Sequence, residues 1–278
     1  MTDAKQLTNP DAFLSATIVD RGKFNIAYGD IGAKDAPVIV MCHGLAASGM
    51  QFTADAHYFV EQGYRVIVPD VRGHGRSNVP PELNDEEFSI PALASDIIAI
   101  LDHAEIEEVN YLGNSLGGIV ALELMEKHAH RFKNFASFGT SYALKTPRAA
   151  VQLLPWFYNL IGTKWIAKLG AKGTTKNKAA QPLVHDMLAD CNIDVVTRIV
   201  KHVGNYDLIS NAVDFTKPIL MLRGQYDRSV NAALGSTLKA MEHQENFKLI
   251  DVPKGGHCAN LDATDQVRRE LLKFFGSA

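Results

Sequence analysis

Three residues of this 278-residue chain could together perform nucleophilic catalysis. Ser115 lies in the pentapeptide GNSLG, which matches the pattern G-x-S-x-G. A serine hydroxyl is a weak nucleophile at neutral pH, so an imidazole must take its proton and a carboxylate must orient that imidazole. Asp227 and then His257 follow the serine along the chain. We therefore predict that Ser115 attacks the substrate, His257 transfers the proton and Asp227 orients His257.

Each of the three residues follows a predicted β-strand. Ser115 lies between a short strand and a helix, at a sharp turn that would raise its hydroxyl above a sheet. Two glycines precede His257 and free the backbone to aim its ring. Because the carboxyl ends of parallel strands meet at one edge of a sheet, the three side chains should converge there. In isolation the pentapeptide could also be an ordinary turn, and Asp227 could simply cap the following helix.

Attack on a carbonyl also requires backbone N–H donors for the oxyanion, each worth about 2.7–4 kcal/mol in a well-studied enzyme. We expect one donor at Leu116, directly after the serine and at the N-terminus of its helix. The second is expected at Leu45, in the turn after an early strand. Three neighbouring residues are expected to line the substrate site: His43, Gly44 and Asn114.

Apolar runs of strand length alternate with segments of helical period, which predicts parallel βαβ units. We expect an α/β fold with a mostly parallel eight-stranded sheet and helices on both faces. The predicted strands are 16–20, 24–30, 37–42, 64–70, 109–113, 134–139, 218–224 and 246–252. The predicted helices are 50–62, 91–103, 119–132, 231–242 and 263–275.

The pattern changes between residues 142 and 213, where aromatic residues and broken helical pieces appear and no strand is predicted. This change indicates a helical insertion. The core domain would then comprise residues 1–141 and 214–278.

Composition sets the broad class of the chain. With 46% hydrophobic and 21% charged residues, it is typical of soluble globular proteins rather than of collagen-like or disordered chains. The formal net charge of −3 does not indicate nucleic-acid binding. We find no signal-peptide pattern and no apolar run of membrane-spanning length, so we expect a cytoplasmic protein without stable membrane insertion. Three widely spaced cysteines predict neither a disulfide framework nor a metal site.

From about residue 16 to 275 the chain resembles the α/β-hydrolase superfamily, in which the order Ser, Asp, His is also found. The motifs that carry this resemblance are HGL (43–45), DVRGHGRS (70–77), GNSLGG (113–118), GQYDRSV (224–230) and GGHCANL (255–261). The resemblance implies that Asp70 and Arg72 brace a loop, with His74 a weaker candidate for lining the site. It also implies that 142–213 forms a cap over the site, and that the protein is a monomer or a homodimer.

We therefore predict a serine hydrolase that cleaves a small-molecule ester or lactone through an acyl-enzyme, with no metal or organic cofactor. A serine at position 115 argues against haloalkane dehalogenases and epoxide hydrolases, whose nucleophile is an aspartate. Carbon–carbon bond hydrolases often have GNS at this turn, but they usually carry a tryptophan shortly after the histidine, where this chain has CANL. Such a hydrolase, or a perhydrolase, is the alternative with the same triad. A non-catalytic binding protein of this fold is a further alternative.

Charge is segregated along the chain. Residues 127–185 contain ten basic and no acidic side chains, a formal charge of +10, which leaves −13 for the rest. The basic segment could attract an anionic substrate, or it could be a solvated lysine-rich surface. In the same region Trp156 and Trp165 are expected to line the substrate pocket, although cap aromatics can also form the core of the cap itself.

Overall fold

The computed structural model of this protein describes residues 15–147 and 163–277. The strands in these ranges are β1 (Ala16–Asp20), β2 (Asn25–Ile31), β3 (Val38–Cys42), β4 (Arg65–Asp70), β5 (Val109–Asn114), β6 (Phe132–Phe138), β7 (Ala143–Lys145), β8 (Asn205–Asp207), β9 (Ile219–Gly224) and β10 (Phe247–Val252). The α-helices are α1 (Thr53–Glu61), α2 (Ile90–His103), α3 (Leu116–His128), α4 (Thr163–Thr174), α5 (Gln181–Asp190), α6 (Ile193–Val203), α7 (Ile209–Asp214), α8 (Arg228–Ala233), α9 (Gly235–Met241), α10 (Ala259–Asp262) and α11 (Thr264–Phe275).

Eight of the strands form one sheet in the order β1-β2-β4-β3-β5-β6-β9-β10. Neighbours from β4 to β10 are parallel, whereas β2 runs antiparallel to both β1 and β4. Every residue of β4 and β5 is buried, because the central strands of a parallel sheet are covered on both faces. The predicted eight-stranded, mostly parallel sheet is confirmed.

Helices cover the sheet on both faces. On one face, α2 and α3 contribute Leu93 and Val120 to a buried apolar cluster. On the other, α1 and α11 contribute Phe59 and Leu271 to a second cluster. Fully burying one such side chain contributes about 1.5–3 kcal/mol. No helix among the described residues is long and apolar enough to cross a membrane.

The sequence-based prediction was wrong at the two ends of segment 142–213. Strands β7 and β8 pair there as an antiparallel ladder, with Ala143 opposite Asp207. Strands of three residues carry too few side chains to show a period of two, so the pattern could not reveal them. Helices α4, α5 and α6 lie between the two strands. The predicted helix 231–242 is also different, since two short helices, α8 and α9, occupy its place.

The contact of α3 with the sheet depends on a glycine. A Cβ atom on Gly117 would lie 2.2 Å from the carbonyl oxygen of Cys42 in β3. Because this neighbour is backbone, we expect Gly117→Ala to lower the free energy of unfolding by about 2–4 kcal/mol, measured by urea denaturation. Gly173→Ala is the control, since its added Cβ would meet no atom from other described parts of the chain within 4 Å. A loss at position 117 no larger than at position 173 would contradict this packing.

Candidate active site

The backbone at Ser115 is strained. Its φ of 50° and ψ of −112° place a residue other than glycine at positive φ, between the end of β5 and the start of α3. Such a conformation costs of order 1–3 kcal/mol and persists only where the surroundings fix it. Four hydrogen bonds do so. The Ser115 N–H donates to Phe138 O at 3.1 Å, and the Ser115 carbonyl accepts from Gly118 N at 3.0 Å, Ile119 N at 3.1 Å and Thr140 Oγ1 at 3.2 Å.

His257 and Asp227 form a hydrogen-bonded pair. The distance between His257 Nδ1 and Asp227 Oδ2 is 2.8 Å, and Asp227 is only 4% exposed. The other carboxylate oxygen accepts from Ser229 Oγ at 3.2 Å and from Val230 N at 3.4 Å, so Asp227 also caps α8. Burial alone would raise the pKa of Asp227, but the hydrogen bond and charge of His257 bring this pKa below its usual value. The carboxylate is therefore ionised at neutral pH, as the partner of a catalytic imidazole must be.

Three loops meet around Ser115. A Cβ atom on Gly44 would lie 3.4 Å from Ser115 Cβ, so the loop after β3 faces the serine. A Cβ atom on Gly139 would lie 3.2 Å from His257 Cε1, so the loop after β6 faces the imidazole. The Asn114 amide donates to the carbonyl oxygen of His257 at 3.0 Å, which joins the histidine loop to the end of β5.

Loop 43–49 carries the predicted oxyanion donor Leu45. The loop is fixed on either side of that residue, since Ala46 N donates to His74 Nε2 at 3.2 Å and Gly49 N donates to Asp70 Oδ1 at 2.6 Å. Within the described part of the chain, the N–H groups of Leu45 and Leu116 have no hydrogen-bond acceptor. Both donors are therefore available to a ligand.

His43 and His74 are buried behind this loop and hydrogen-bond to its backbone, so they support the loop and do not line the site. His43 is 0% and His74 3% exposed, and their ring centroids are 5.5 Å apart. His43 Nε2 accepts from Val71 N at 3.0 Å, which leaves the proton on Nδ1 to donate to Gly44 O at 2.7 Å. His74 Nε2 accepts from Ala46 N, so its Nδ1 proton is directed at Arg72 O, 3.1 Å away. Both rings are neutral, because each must accept a backbone N–H.

This pair makes the loop sensitive to acid. Burial, followed by the nearby His43, lowers the pKa of His74 to about 4. Between about pH 6.5 and pH 4 the unfolded chain binds a proton at residue 74 that the folded protein does not, so stability falls as the pH falls through this window. We expect the protonation of this histidine alone to lower the free energy of unfolding by up to about 3 kcal/mol over the window.

The test is His74→Gln, which keeps an acceptor for the Ala46 N–H but does not titrate. Chemical denaturation of the wild type and the variant at several pH values measures the free energy of unfolding. Between about pH 6.5 and pH 4 this free energy should fall less for the variant than for the wild type. Identical pH profiles for the two proteins would show that His74 is not the titrating group.

The roles implied for Asp70 and Arg72 as braces are confirmed. Asp70 accepts from Gly49 N and from Arg76 Nε, the latter at 2.6 Å. The Arg72 guanidinium binds both carboxylate oxygens of buried Asp96, at 2.6 and 2.7 Å. These contacts fix the loop after β4, against which loop 43–49 packs.

The remaining predicted lining residues have different outcomes. Asn114 is 1% exposed, and both amide hydrogens are used, towards Phe138 O at 3.1 Å and His257 O. This placement favours a supporting role for Asn114 over contact with substrate. Trp156 lies outside the described residues, and Trp165 lies in α4, where the structure does not describe its side chain.

Sequence reasoning missed two polar residues at the site. Gln51 Nε2 donates to Asn114 Oδ1 at 3.0 Å, and Asp262 Oδ2 accepts from Gly256 N at 2.6 Å. No motif marks Gln51. Asp262 lies five residues after His257, so a search for acidic residues near the histidine could have found it.

A cleft of about 570 Å³ opens beside the His257–Asp227 pair. Two cations border it, Lys176 from the segment after α4 and Arg228 from the start of α8. Its full lining is Gly173, Thr174, Lys176, Tyr226, Asp227, Arg228, Ser229 and His257.

The family model for the alpha/beta hydrolase fold matches residues 37–176, half of the chain. The chain belongs to the α/β-hydrolase fold family. This α/β hydrolase is 25% identical over 243 residues to 3-oxoadipate enol-lactonase 2 of Acinetobacter baylyi, a match that covers 84% of this chain and 87% of the relative.

A shorter match relates this α/β hydrolase to bifunctional epoxide hydrolase 2 of Sus scrofa. The two are 22% identical over 142 residues, which is 51% of this chain but only 25% of the pig protein. Among solved structures, the esterase of Exiguobacterium antarcticum superposes with a TM-score of 0.83 at 21% identity, covering 94% of this chain and all of the esterase. This likeness extends the shared fold to nearly the whole chain.

Proposed function

We propose that this α/β hydrolase cleaves carboxylic esters or lactones through a covalent acyl-enzyme on Ser115. One observation carries the proposal. A serine in strained backbone follows β5, and the loop that Asn114 joins to this strand end carries a histidine paired at 2.8 Å with a buried, ionised aspartate. The enol-lactonase relative, a protein of similar length, is named for an activity on a lactone. In this proposal residues 142–213 form the cap over the site.

Each group has one task in the proposed reaction. Ser115 Oγ attacks the carbonyl carbon while His257 takes the hydroxyl proton, and Asp227 stabilises the imidazolium that forms. The oxyanion accepts hydrogen bonds from the N–H groups of Leu45 and Leu116. When the bond to the leaving group breaks, His257 gives its proton to the leaving alkoxide. Water, deprotonated by His257, then attacks the carbonyl carbon of the acyl-enzyme. The bond from that carbon to Ser115 Oγ breaks, His257 returns the proton to Oγ, and the acid is released. No step requires a metal or a cofactor.

A substrate panel tests the type of bond that is cleaved. We expect short p-nitrophenyl esters and simple lactones to be hydrolysed with higher kcat/KM than ring-cleavage diketones, and without added peroxide. Faster turnover of ring-cleavage products would replace this proposal with carbon–carbon bond hydrolysis. Ester turnover no faster than the uncatalysed background would leave only a binding function.

We further propose that the preferred substrate is an anion. Lys176 and Arg228 border the cleft beside His257, and both side chains are exposed. Within the ranges that the structure describes, Lys176 Nζ has one hydrogen bond, to the backbone oxygen of Lys172 at 3.3 Å, and Arg228 forms no ion pair. Among the described residues that line the cleft, Asp227 is the one carboxylate, and it is hydrogen-bonded to His257. The lining carries two positive charges against the one negative charge of Asp227, and this excess would attract a substrate carboxylate.

Matched esters test this preference. The ratio of kcat/KM for a p-nitrophenyl hemiester of a dicarboxylic acid to that for the neutral ester of similar length should exceed one and fall as salt is added. Arg228→Gln should lower this ratio about 5-fold, whereas Lys201→Gln, which removes an exposed lysine paired with Asp85, should not. A ratio insensitive to both salt and Arg228→Gln would contradict the proposal.

A further inference from the structure

Asp262 connects the histidine loop to the segment after α4. Its Oδ2 accepts from Gly256 N, directly before His257, at 2.6 Å. Its Oδ1 accepts from Lys176 N at 2.7 Å, from Asn177 N at 3.0 Å and from the hydroxyl of Thr175. One carboxylate therefore accepts four hydrogen bonds from two parts of the chain that are about eighty residues apart.

Two more hydrogen bonds join the same parts of the chain. Cys258 N, directly after His257, donates to Thr174 O at 3.2 Å. The Asn177 amide donates to Leu261 O at 2.8 Å. Residues 174–177 thus hold the backbone on the C-terminal side of His257, and Asp262 holds it on the N-terminal side.

The carbonyl of His257 itself accepts a hydrogen bond from the Asn114 amide at 3.0 Å. The Asn114 side chain is oriented in turn by Gln51 Nε2, which donates to its Oδ1 at 3.0 Å. Asn260, in α10 directly after the histidine loop, accepts from Gln51 Nε2 at 3.3 Å. This buried amide network ties the strand end that carries Ser115 to the loop that carries His257.

These contacts set where the imidazole can reach. Asp227 binds Nδ1 and so fixes the rotation of the ring, but the distance from Nε2 to a nucleophile depends on where the backbone of residue 257 lies. We propose that Asp262 and Asn114 are positioning residues that hold this backbone so that one imidazole serves Asp227 and Ser115 together. The proposal rests on the function proposed above. A displacement of about 1 Å in such a site can cost about 100-fold in rate.

The first variant is Asp262→Asn, which keeps the shape of the side chain but turns N–H donors towards backbone N–H groups. We expect kcat for a p-nitrophenyl ester to fall about 10- to 100-fold while KM changes little. The downfield proton resonance of His257 Nδ1, hydrogen-bonded to Asp227, should broaden or shift. Asp85→Asn is the matched control, because it removes a hydrogen-bonded carboxylate between Lys201 of α6 and the core, away from His257.

The second variant is Asn114→Ala, with Asn110→Ala as its control. Both asparagines are 1% exposed in β5, and Asn110 also uses its amide, donating to Val38 O at 2.9 Å and accepting from Asn134 at 2.7 Å. We expect similar losses of unfolding free energy from the two variants, but a fall in kcat only for Asn114→Ala. If Asn114→Ala does not fold, Asp262→Asn decides alone.

An unchanged kcat and an unchanged His257 resonance in Asp262→Asn would overturn the proposal, as would an equal fall in kcat for Asp85→Asn. The resonance separates this failure from failure of the proposed function. It reports the His257–Asp227 geometry whether or not the protein hydrolyses esters. If esters are not substrates, the His257 resonance alone shows whether Asp262 positions the imidazole: a change supports the proposal and an unchanged resonance contradicts it.

Discussion

Replacing Ser115 by alanine should lower kcat for ester hydrolysis by at least about 10⁴-fold, because the proposed acyl-enzyme forms on the hydroxyl that this change removes. The remaining rate would come from binding and from the oxyanion donors. KM should change little, since the hydroxyl contributes to bond formation and not to uniform binding. Steady-state kinetics with a p-nitrophenyl ester measure both constants.

The folded structure should tolerate this change. The contacts that fix residue 115 use its backbone, and alanine keeps them all, so the Tm of Ser115→Ala should lie close to that of the wild type. Ser115→Gly should unfold at no lower temperature than Ser115→Ala, because glycine adopts positive φ without steric cost. Retained turnover in well-folded Ser115→Ala would show that the nucleophile is a different residue.

Asp227→Asn should lower kcat by about 10³- to 10⁴-fold. An amide can accept the same hydrogen bond, but it carries no charge to stabilise the imidazolium and can hold the imidazole in the wrong tautomer. Residue 227 should still cap α8, because an amide oxygen also accepts from backbone N–H groups. The change in rate should therefore greatly exceed the change in stability.

Asp251→Asn is the matched control for this variant. Asp251 binds Arg223 at 2.6 Å in an exposed ion pair between β9 and β10, the strands that precede Asp227 and His257. Such a pair contributes at most about 1 kcal/mol, and kcat should stay within about twofold of the wild type. If Asp251→Asn and Asp227→Asn lowered kcat equally, the effect at 227 would be structural.

The pH dependence of stability should also reflect Asp227. Its pKa in the folded protein lies below the usual value, so the ionised carboxylate stabilises the folded state at neutral pH. This contribution is lost as the pH falls from the ordinary carboxyl range through the lower pKa of the folded protein. Asp227→Asn should therefore show a smaller loss of unfolding free energy in acid than the wild type.

The sheet and the three chemical residues were predictable from sequence because each leaves a local signal. Buried parallel strands such as β4 and β5 appear as continuous apolar runs. The serine pentapeptide lies between a strand and a helix, and the aspartate and histidine follow later strands in chain order. Parallel topology then brings these strand ends to one edge, so sequence order alone predicts proximity.

The sequence carries no such local signal for the direction in which a side chain points. His43 and Asn114 lie beside the oxyanion turn and the serine, which suggested contact with substrate, yet both are buried and bonded to backbone atoms. The contacts of Asp262 with residues 175–177 join distant parts of the chain. Hydrogen bonds of this kind depend on tertiary packing, so the periodicity of apolar residues in the sequence does not predict them.

Covalent labelling with a fluorophosphonate probe tests the central claim most directly, because the probe reacts with an activated serine and needs no knowledge of the natural substrate. The folded protein should gain one adduct, which peptide mass spectrometry should locate on Ser115, and Ser115→Ala should gain none. His257→Ala should react far more slowly, because no imidazole takes the serine proton. A folded wild-type protein that stays unlabelled, or that is labelled at a different serine, would contradict the account.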